Sequence, residues 1–336
     1  MAYKILSIDG GGIRGIIPGQ ILVSLESKLR EKSNGKIQNI GECFDLVAGT
    51  STGAILAAAY VCPDPNGSYK FNAQDAVDIY LNDGDEIFDV SFWKKLSSLG
   101  GLNDERYSAK ALEESLEVAF GDLKISELLK PTCLVSYDIK RRTPQIFKQH
   151  TAISRGKDFL VRDALRGSSA APTYFQTARI YSVEPKRRKY VLVDGGLVAN
   201  DPTLCAYSEG LKDEKVTGLK DMTIVSLGTG KNLKAYSYPD VKDWGPLGWA
   251  KPSIDIALEG GPQMTEYFMK KISSTLESKN HFFRISPDLY NASPDLDNAS
   301  PENIENLLDA GERNAEDFDL LLDEIVDELL RPEETE

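Results

Sequence analysis

Short apolar runs and amphipathic stretches alternate along the first part of the chain. Residues 3–8 and 46–48 are apolar enough for buried strands, and residues 16–31 place their apolar side chains at helical spacing. An alanine-rich helix is predicted directly after the second strand. This order of strand, loop and helix predicts an α/β fold in which loops at the carboxyl ends of strands lead into helices.

The same periodicities continue to the carboxyl terminus. Predicted strands cover 131–138, 145–149, 190–193, 222–227 and 281–285. Predicted helices cover 73–88, 108–120, 159–166, 202–211, 253–278 and 302–330. Two stretches that contain Trp stand between these elements. Residues 92–99 are predicted to fold onto the core, with a lipid-contacting lip as the alternative. Residues 231–252, with Trp244 and Trp249, are predicted to be a loop that could cover an apolar pocket.

The second predicted strand leads into a sharp turn that carries a serine. Gly49-Thr50-Ser51-Thr52-Gly53 matches the G-x-S-x-G pattern, and the strand before it and helix after it are the context of a nucleophile elbow. The turn forces its central residue toward positive φ, so Gly49 and Gly53 give the space that it needs. The free N–H groups at the start of the helix favour negative charge nearby. Ser51 is therefore the predicted nucleophile.

A glycine-rich loop follows the first strand. Gly10, Gly12 and Gly15 match G-x-G-x-x-G, but a dinucleotide-binding fold would place an acidic residue after the second strand, where this chain has its serine elbow. Consecutive glycines instead expose backbone N–H groups, and Arg14 adds positive charge. We therefore expect Gly10, Gly11 and Gly12 to form an oxyanion hole on the strand beside Ser51.

A serine nucleophile needs a base, and the chain contains two histidines. Neither His150 nor His281 follows a glycine-lined turn at the end of a strand. Both are therefore predicted to be structural.

An aspartate has the setting that the histidines lack. Asp194 ends an apolar strand, and Gly195 and Gly196 leave space around its carboxylate. Burial beside an apolar pocket would raise its pKa toward that of a useful general base. Asp194 is the predicted partner of the serine, whereas Asp9 and Asp201 are expected to be held in structural hydrogen bonds.

Charge and cysteine content narrow the class of protein. The 336 residues carry a formal net charge of −13, and the sequence pI is about 4.8, which argues against binding to a nucleic acid polymer. The amino terminus reads as a strand and not as a signal peptide, and no apolar run is long enough to span a bilayer. The four scattered cysteines fit free thiols in a reducing cytosol. A cytoplasmic protein is expected.

These motifs together resemble the patatin-like phospholipase family. The resemblance rests on DGGGIRG at 9–15, GTSTG at 49–53, DGG at 194–196, SSAAPTYF at 168–175 and SLGTG at 226–230, in the family's order. It implies a three-layer α/β/α fold around a central, mostly parallel sheet. It also suggests a bacterial-type member with a catalytic core at 1–230. Residues 231–336 would add the lid candidate, a long helix, a strand and an acidic helical end to the same domain.

The resemblance also implies a function. Ser51 and Asp194 would form a catalytic dyad without a metal or cofactor, and the amides of Gly10 to Gly12, near Arg14, would bind the oxyanion. The expected activity is hydrolysis of acyl esters in phospholipids or lysophospholipids, with peripheral contact to a membrane or micelle at the inner membrane face.

Three alternatives stay open from the sequence. An acyltransferase would use the same serine elbow with an alcohol or thiol acceptor. Some bacterial members of the family are dormant anti-phage effectors that a cyclic nucleotide activates, so a small-molecule activator is conceivable here. A module that only binds acyl chains or nucleotides is the non-enzymatic alternative. The oligomeric state is not predicted.

Overall fold

One mixed sheet lies at the centre of the fold. The computed structural model describes residues 2–81, 110–183, 187–232, 235–277 and 281–332. The segment at 92–99, for which packing onto the core or a lipid-contacting lip is expected, lies outside these residues. Eight strands within the described residues join in the sheet: β1 (Tyr3–Ile8), β2 (Leu46–Thr50), β3 (Thr132–Asp138), β4 (Thr143–Lys148), β5 (Ala178–Tyr181), β6 (Lys189–Asp194), β7 (Met222–Leu227) and β8 (Phe282–Ile285).

The sheet combines a parallel centre with an antiparallel side. Strands β3, β2, β1, β7 and β8 are neighbours in that order and run parallel, whereas β4, β5 and β6 pair antiparallel. The fold is therefore α/β with a largely parallel sheet, as predicted. The sequence analysis did not find β5, and it did not foresee the direction of β6.

Helices cover both faces of the sheet. The sheet separates two apolar cores. Successive side chains of β1 point to opposite faces, so that Leu6 and Ile8 belong to one core and Ile5 belongs to the other. The described helices are α1 (Ile16–Lys32), α2 (Thr52–Ala59), α3 (Ala73–Leu81), α4 (Lys110–Phe120), α5 (Val161–Ser168), α6 (Gly196–Ala199), α7 (Thr203–Gly210), α8 (Tyr238–Val241), α9 (Pro246–Ser273), α10 (Pro301–Asp317) and α11 (Asp319–Leu330).

One prediction about the carboxyl-terminal part was wrong, and another is refined. The predicted loop at 231–252 contains α8 and the first turns of α9, because Pro246 stands in the first turn of α9, where its missing N–H costs nothing. The segment predicted to be helical at 302–330 is helical, and it forms two helices because Phe318 leaves helical dihedrals with φ −94° and ψ 12°.

The pairing of β3 determines what stands at the carboxyl ends of its neighbours. On one edge, the first half of β3 pairs with β2 up to Val135, and the second half pairs with β6 from Ser136. Because β2 runs parallel to β3 and β6 runs antiparallel, their carboxyl ends point toward each other. The residues that end these two strands, Thr50 and Asp194, therefore meet at one point of the sheet.

Candidate active site

Ser51 stands on a strained turn between β2 and α2. Its backbone dihedrals are φ 54° and ψ −122°, which residues other than glycine rarely adopt. Helix α2 begins at the next residue, Thr52. The turn requires glycine on both sides. A Cβ on Gly49 would overlap the carbonyl of Gly53, and a Cβ on Gly53 would overlap the carbonyl of Ile8. The tightness of the turn therefore depends on Gly49, and its close approach to β1 depends on Gly53.

The Ser51 hydroxyl donates a hydrogen bond to Asp194. The distance from Ser51 Oγ to Asp194 Oδ2 is 2.8 Å. The other carboxylate oxygen, Oδ1, accepts the Gly196 N–H at 2.7 Å. Gly195 packs so closely on β3 that a Cβ would overlap the Val135 carbonyl. The carboxylate is thus held on both oxygens and directed at the serine.

Burial changes the acidity of this carboxylate. Asp194 is 3% exposed, and burial raises its pKa from 3.8 to about 6, against the smaller, opposing effects of its hydrogen bonds to Gly196 and Ser51. Near neutral pH, Asp194 is ionised and accepts a proton more readily than an exposed aspartate does. This is the acidity that a general base in this position needs.

The glycine loop offers two free amides, one fewer than predicted. The Gly10 N–H donates to the backbone carbonyl of Asn200 at 3.0 Å, so it is not available to an oxyanion. The reason is that Gly10 lies against Asn200, whose side-chain oxygen a Cβ on Gly10 would overlap. The N–H groups of Gly11 and Gly12 have no partner among the described residues. Gly12 has φ +58°, which favours glycine.

Arg14 lies buried under this loop. It is 5% exposed, and its Nε donates a long hydrogen bond of 3.5 Å to the Gly11 carbonyl. Its Nη1 has no hydrogen-bond partner among the described residues. Burial lowers its pKa, and the charge of Glu259 opposes that effect. Arg14 therefore supports the loop and adds positive charge beside the amides.

Two polar residues that the sequence analysis did not select hold the site together. Ser168 accepts the Ser51 N–H at 2.9 Å and donates to the Val135 carbonyl at 2.5 Å. Asn200 donates to the carbonyls of Gly10, at 3.2 Å, and Leu258, at 2.8 Å. Ser168 lies in one of the segments that resemble the family, but no spacing in the sequence indicated either contact.

A small apolar cavity surrounds Ser51. Its volume is about 40 Å³, and hydrocarbon side chains form most of its wall. They come from several elements and include Ile55, Leu112, Tyr174, Phe175, Leu258 and Leu296. A wall of this composition suits an acyl chain better than a polar substrate.

The two histidines lie away from this cavity. His150 Nε2 is 3.0 Å from Glu209 Oε2, and His281 Nδ1 is 3.0 Å from the Met222 carbonyl oxygen. Neither lines the cavity around Ser51. Their contacts are those of structural residues.

The other two candidate carboxylates, Asp9 and Asp201, contact one arginine. Arg284 donates two hydrogen bonds to Asp9, of 2.9 and 2.6 Å, and its Nη1 is 3.4 Å from Asp201 Oδ2. All three side chains are almost fully buried. Asp9 and Asp201 thus form a buried ion cluster with Arg284 next to the glycine loop.

The remaining predictions concern metals, membranes and thiols. In the part of the chain that the structure describes, no three His, Cys, Asp or Glu side chains come together in a way that could hold a metal ion. No helix among those same residues is long and apolar enough to cross a membrane. The four cysteines are free, and Cys205 is the one that is not fully buried.

Comparison with known proteins identifies the family of this chain. The family model described as patatin-like phospholipase matches residues 6–207, which contain the glycine loop, the elbow and Asp194. The chain belongs to this family. Patatin-like protein 4 of Arabidopsis thaliana is 33% identical over 92% of the chain and 82% of the relative. Patatin-2-Kuras 3 of Solanum tuberosum has the same identity and the same coverage.

Membership establishes the kind of enzyme, a hydrolase of lipid acyl esters. The relatives named here are plant proteins, so the bacterial subtype stays a prediction. Among solved structures, VipD from Legionella pneumophila overlaps with a TM-score of 0.42 at 13% identity, over 96% of this chain and 67% of that one.

Proposed function

We propose that this patatin-like protein hydrolyses acyl esters of phospholipids or lysophospholipids through a Ser51–Asp194 dyad. One observation carries the proposal: the 2.8 Å hydrogen bond from the serine to a buried carboxylate inside an apolar cavity. The raised pKa of Asp194 supports its role as the base.

The acylation step uses groups within this cavity. Ser51 Oγ attacks the ester carbonyl carbon while its proton passes to Asp194 Oδ2. Negative charge then develops on the carbonyl oxygen, and the amides of Gly11, Gly12 and Thr52, which have no partners among the described residues, are the donors for it. When the tetrahedral intermediate collapses, the bond to the alcohol breaks, and protonated Asp194 returns the proton to the leaving oxygen.

Deacylation repeats these steps with water. Asp194 accepts a proton from a water molecule that attacks the acyl-serine, and then returns it to Ser51 as the fatty acid leaves. An alcohol in place of that water would give acyl transfer, so the acyltransferase alternative differs in this second step alone. The four free cysteines are consistent with a reducing compartment. We therefore place the reaction in the cytoplasm, at the inner membrane face.

The test is release of fatty acid from phosphatidylcholine and lysophosphatidylcholine, measured by mass spectrometry with and without glycerol. We expect free fatty acid as the main product, and none from the Ser51→Ala variant. A glycerol ester as main product would favour the acyltransferase, and a requirement for an added cyclic nucleotide would favour the activated effector. Equal hydrolysis by Ser51→Ala and the wild type would refute the proposal.

A further inference from the structure

The cavity around Ser51 is too small for the acyl chain of a phospholipid. A volume of about 40 Å³ holds about three water molecules, whereas a fatty acyl chain has many more heavy atoms. Leu258, on α9, forms part of the wall and packs over Gly196 next to Asp194. An acyl chain therefore needs more space than this cavity offers, and α9 contributes Leu258 to the wall that limits it.

Helix α9 has a weak point directly after Leu258. Pro262 lacks an N–H, so the Leu258 carbonyl four residues earlier has no donor within the helix. The Asn200 side chain supplies that donor at 2.8 Å and so ties α9 to the glycine loop. Residues 260–262 thus separate the half of α9 that carries Leu258 from the half that follows.

Neither packing nor backbone conformation requires glycine at the two positions before Pro262 in this structure. A Cβ on Gly260 or Gly261 would meet no atom within 4 Å, and neither residue has positive φ. Glycine inside a helix is destabilising relative to alanine. Glycine and proline together weaken a helix at one place, so this sequence favours bending of the backbone at residues 260–262.

Helix α9 also carries two apolar faces, where a surface helix needs one. Residues spaced by seven or eleven positions share a helical face. Leu258 and Met269 face inward. Trp249, Ile256 and Tyr267 lie on the opposite face, where they are 41, 52 and 54% exposed. The outward face contacts solvent with residues that normally avoid it.

Aromatic side chains extend this outward surface beyond the start of α9. Tyr236, Trp244 and Trp249 pack edge to face, with ring centroids 5.6 and 5.3 Å apart. Tyr238 is 76% exposed and Leu247 is 95% exposed. Trp and Tyr favour the boundary between lipid and water, because their rings are partly apolar and partly polar.

The charge of this region favours a lipid surface without net charge. Residues 235–277 carry four lysines and six carboxylates, so this region has no excess of positive charge, and the whole chain carries −13. Anionic lipid would therefore be repelled by the protein as a whole and not attracted by this surface. The protein would therefore bind lipid through burial of its apolar side chains and not through charge. A zwitterionic bilayer permits such binding without repelling the protein.

We propose that residues 246–259 of α9 form a lid that docks on a zwitterionic lipid surface through its outward face. Docking draws the lid from the cavity, the helix bends at Gly260–Gly261–Pro262, and the Asn200–Leu258 hydrogen bond breaks. The docking surface is defined by Trp249, Ile256 and the aromatic residues before them. The inference rests on the proposed lipid substrate.

Docking is tested apart from hydrolysis. Phosphatidylcholine vesicles are mixed with the Ser51→Ala protein, which cannot consume them, and bound protein is measured by flotation. The double substitution Trp249→Ser, Ile256→Ser should lower binding by about tenfold or more, since two large apolar side chains lose their burial. Leu320→Ser, at a residue 79% exposed on α11, is the matched control and should change nothing. Equal losses in both variants, or none in the double variant, would overturn the docking surface.

Hydrolysis then tests the lid in the active protein. The double variant should lose about tenfold on phosphatidylcholine vesicles and keep kcat/KM on a soluble acetyl ester within about twofold. An equal loss on both substrates would indicate ordinary packing and overturn the lid. If no ester were hydrolysed by any variant, the proposed function would fail, whereas flotation would still decide the docking.

The hinge is tested by stiffening it. Gly260→Ala, Gly261→Ala should raise Tm, because the closed structure has room for both methyl groups. The same variant should hydrolyse vesicle lipid several-fold more slowly while the acetyl ester is less affected. A lower Tm, or unchanged hydrolysis of vesicles, would overturn the hinge.

Discussion

Replacing Asp194 by asparagine should inactivate the enzyme and stabilise it at the same time. Asparagine keeps the size of the side chain and an oxygen for the Gly196 N–H, but it cannot accept a proton from Ser51. General acid–base catalysis contributes about 10²–10⁴-fold. We expect kcat/KM to fall by at least that factor, since Asp194 is the only group that hydrogen-bonds the Ser51 hydroxyl among the described residues.

The gain in stability follows from the buried charge. The pKa of Asp194 is raised from 3.8 to about 6 in the folded protein, so the folded state binds the proton more tightly than the unfolded state. This group's contribution to the free energy of unfolding is therefore complete below pH 3.8 and lost as the pH rises to about 6. The loss is about 3 kcal/mol at 1.36 kcal/mol per unit of pKa, and asparagine does not undergo it.

The assay is urea unfolding of both proteins at about pH 4.5 and pH 8. About 2 kcal/mol of the loss falls between pH 4.5 and pH 6, so the variant should gain that amount over the wild type between the two conditions. Wild-type activity should also decline on the acidic side with an apparent pKa near 6. A variant that keeps more than a tenth of the activity would refute the base, and an unchanged stability difference would refute the buried charge.

Further substitutions test the remaining parts of the site. Ser51→Ala should abolish labelling by a fluorophosphonate while the protein stays folded, and Ser51→Gly should be more stable than Ser51→Ala by about 1 kcal/mol in thermal unfolding, because φ is 54°. His150→Gln and His281→Gln should each keep most of the wild-type rate; a folded histidine variant as inactive as the asparagine variant would move the base to an imidazole. Gly11→Ala should lower kcat strongly, since its Cβ would overlap Thr229 next to a free amide.

The parallel centre of the fold was predictable because its strands are buried on both faces. Such strands appear as apolar runs, and the bounds of β1 and β7 agree with the prediction at 3–8 and 222–227. The elbow at Gly49–Gly53 was also predictable, because steric crowding in such a turn leaves room only for glycine at these two positions.

The pairing partners of strands and the contacts of single polar groups could not be read in this way. An apolar strand such as β6 has the same composition in either direction, so its antiparallel pairing with β3 leaves no trace in the local sequence. The Gly10 N–H cannot bind an oxyanion because it donates to the backbone carbonyl of Asn200, which is 190 residues away in the chain. The Gly and Pro residues up to Pro252 indicated a loop, but α9 is already helical before Pro252 and stays helical through it.

The meeting of β2 and β6 on one edge of β3 also makes hydrolysis dependent on complete folding. Ser51 and Asp194 are 143 residues apart in the chain, and they approach each other only after both strands have paired with β3. Contacts across so long a separation form late, because closing the intervening chain costs entropy. A nascent or partly unfolded molecule therefore has Ser51 without Asp194 beside it, and on the proposed mechanism it cannot hydrolyse an ester until its sheet is complete.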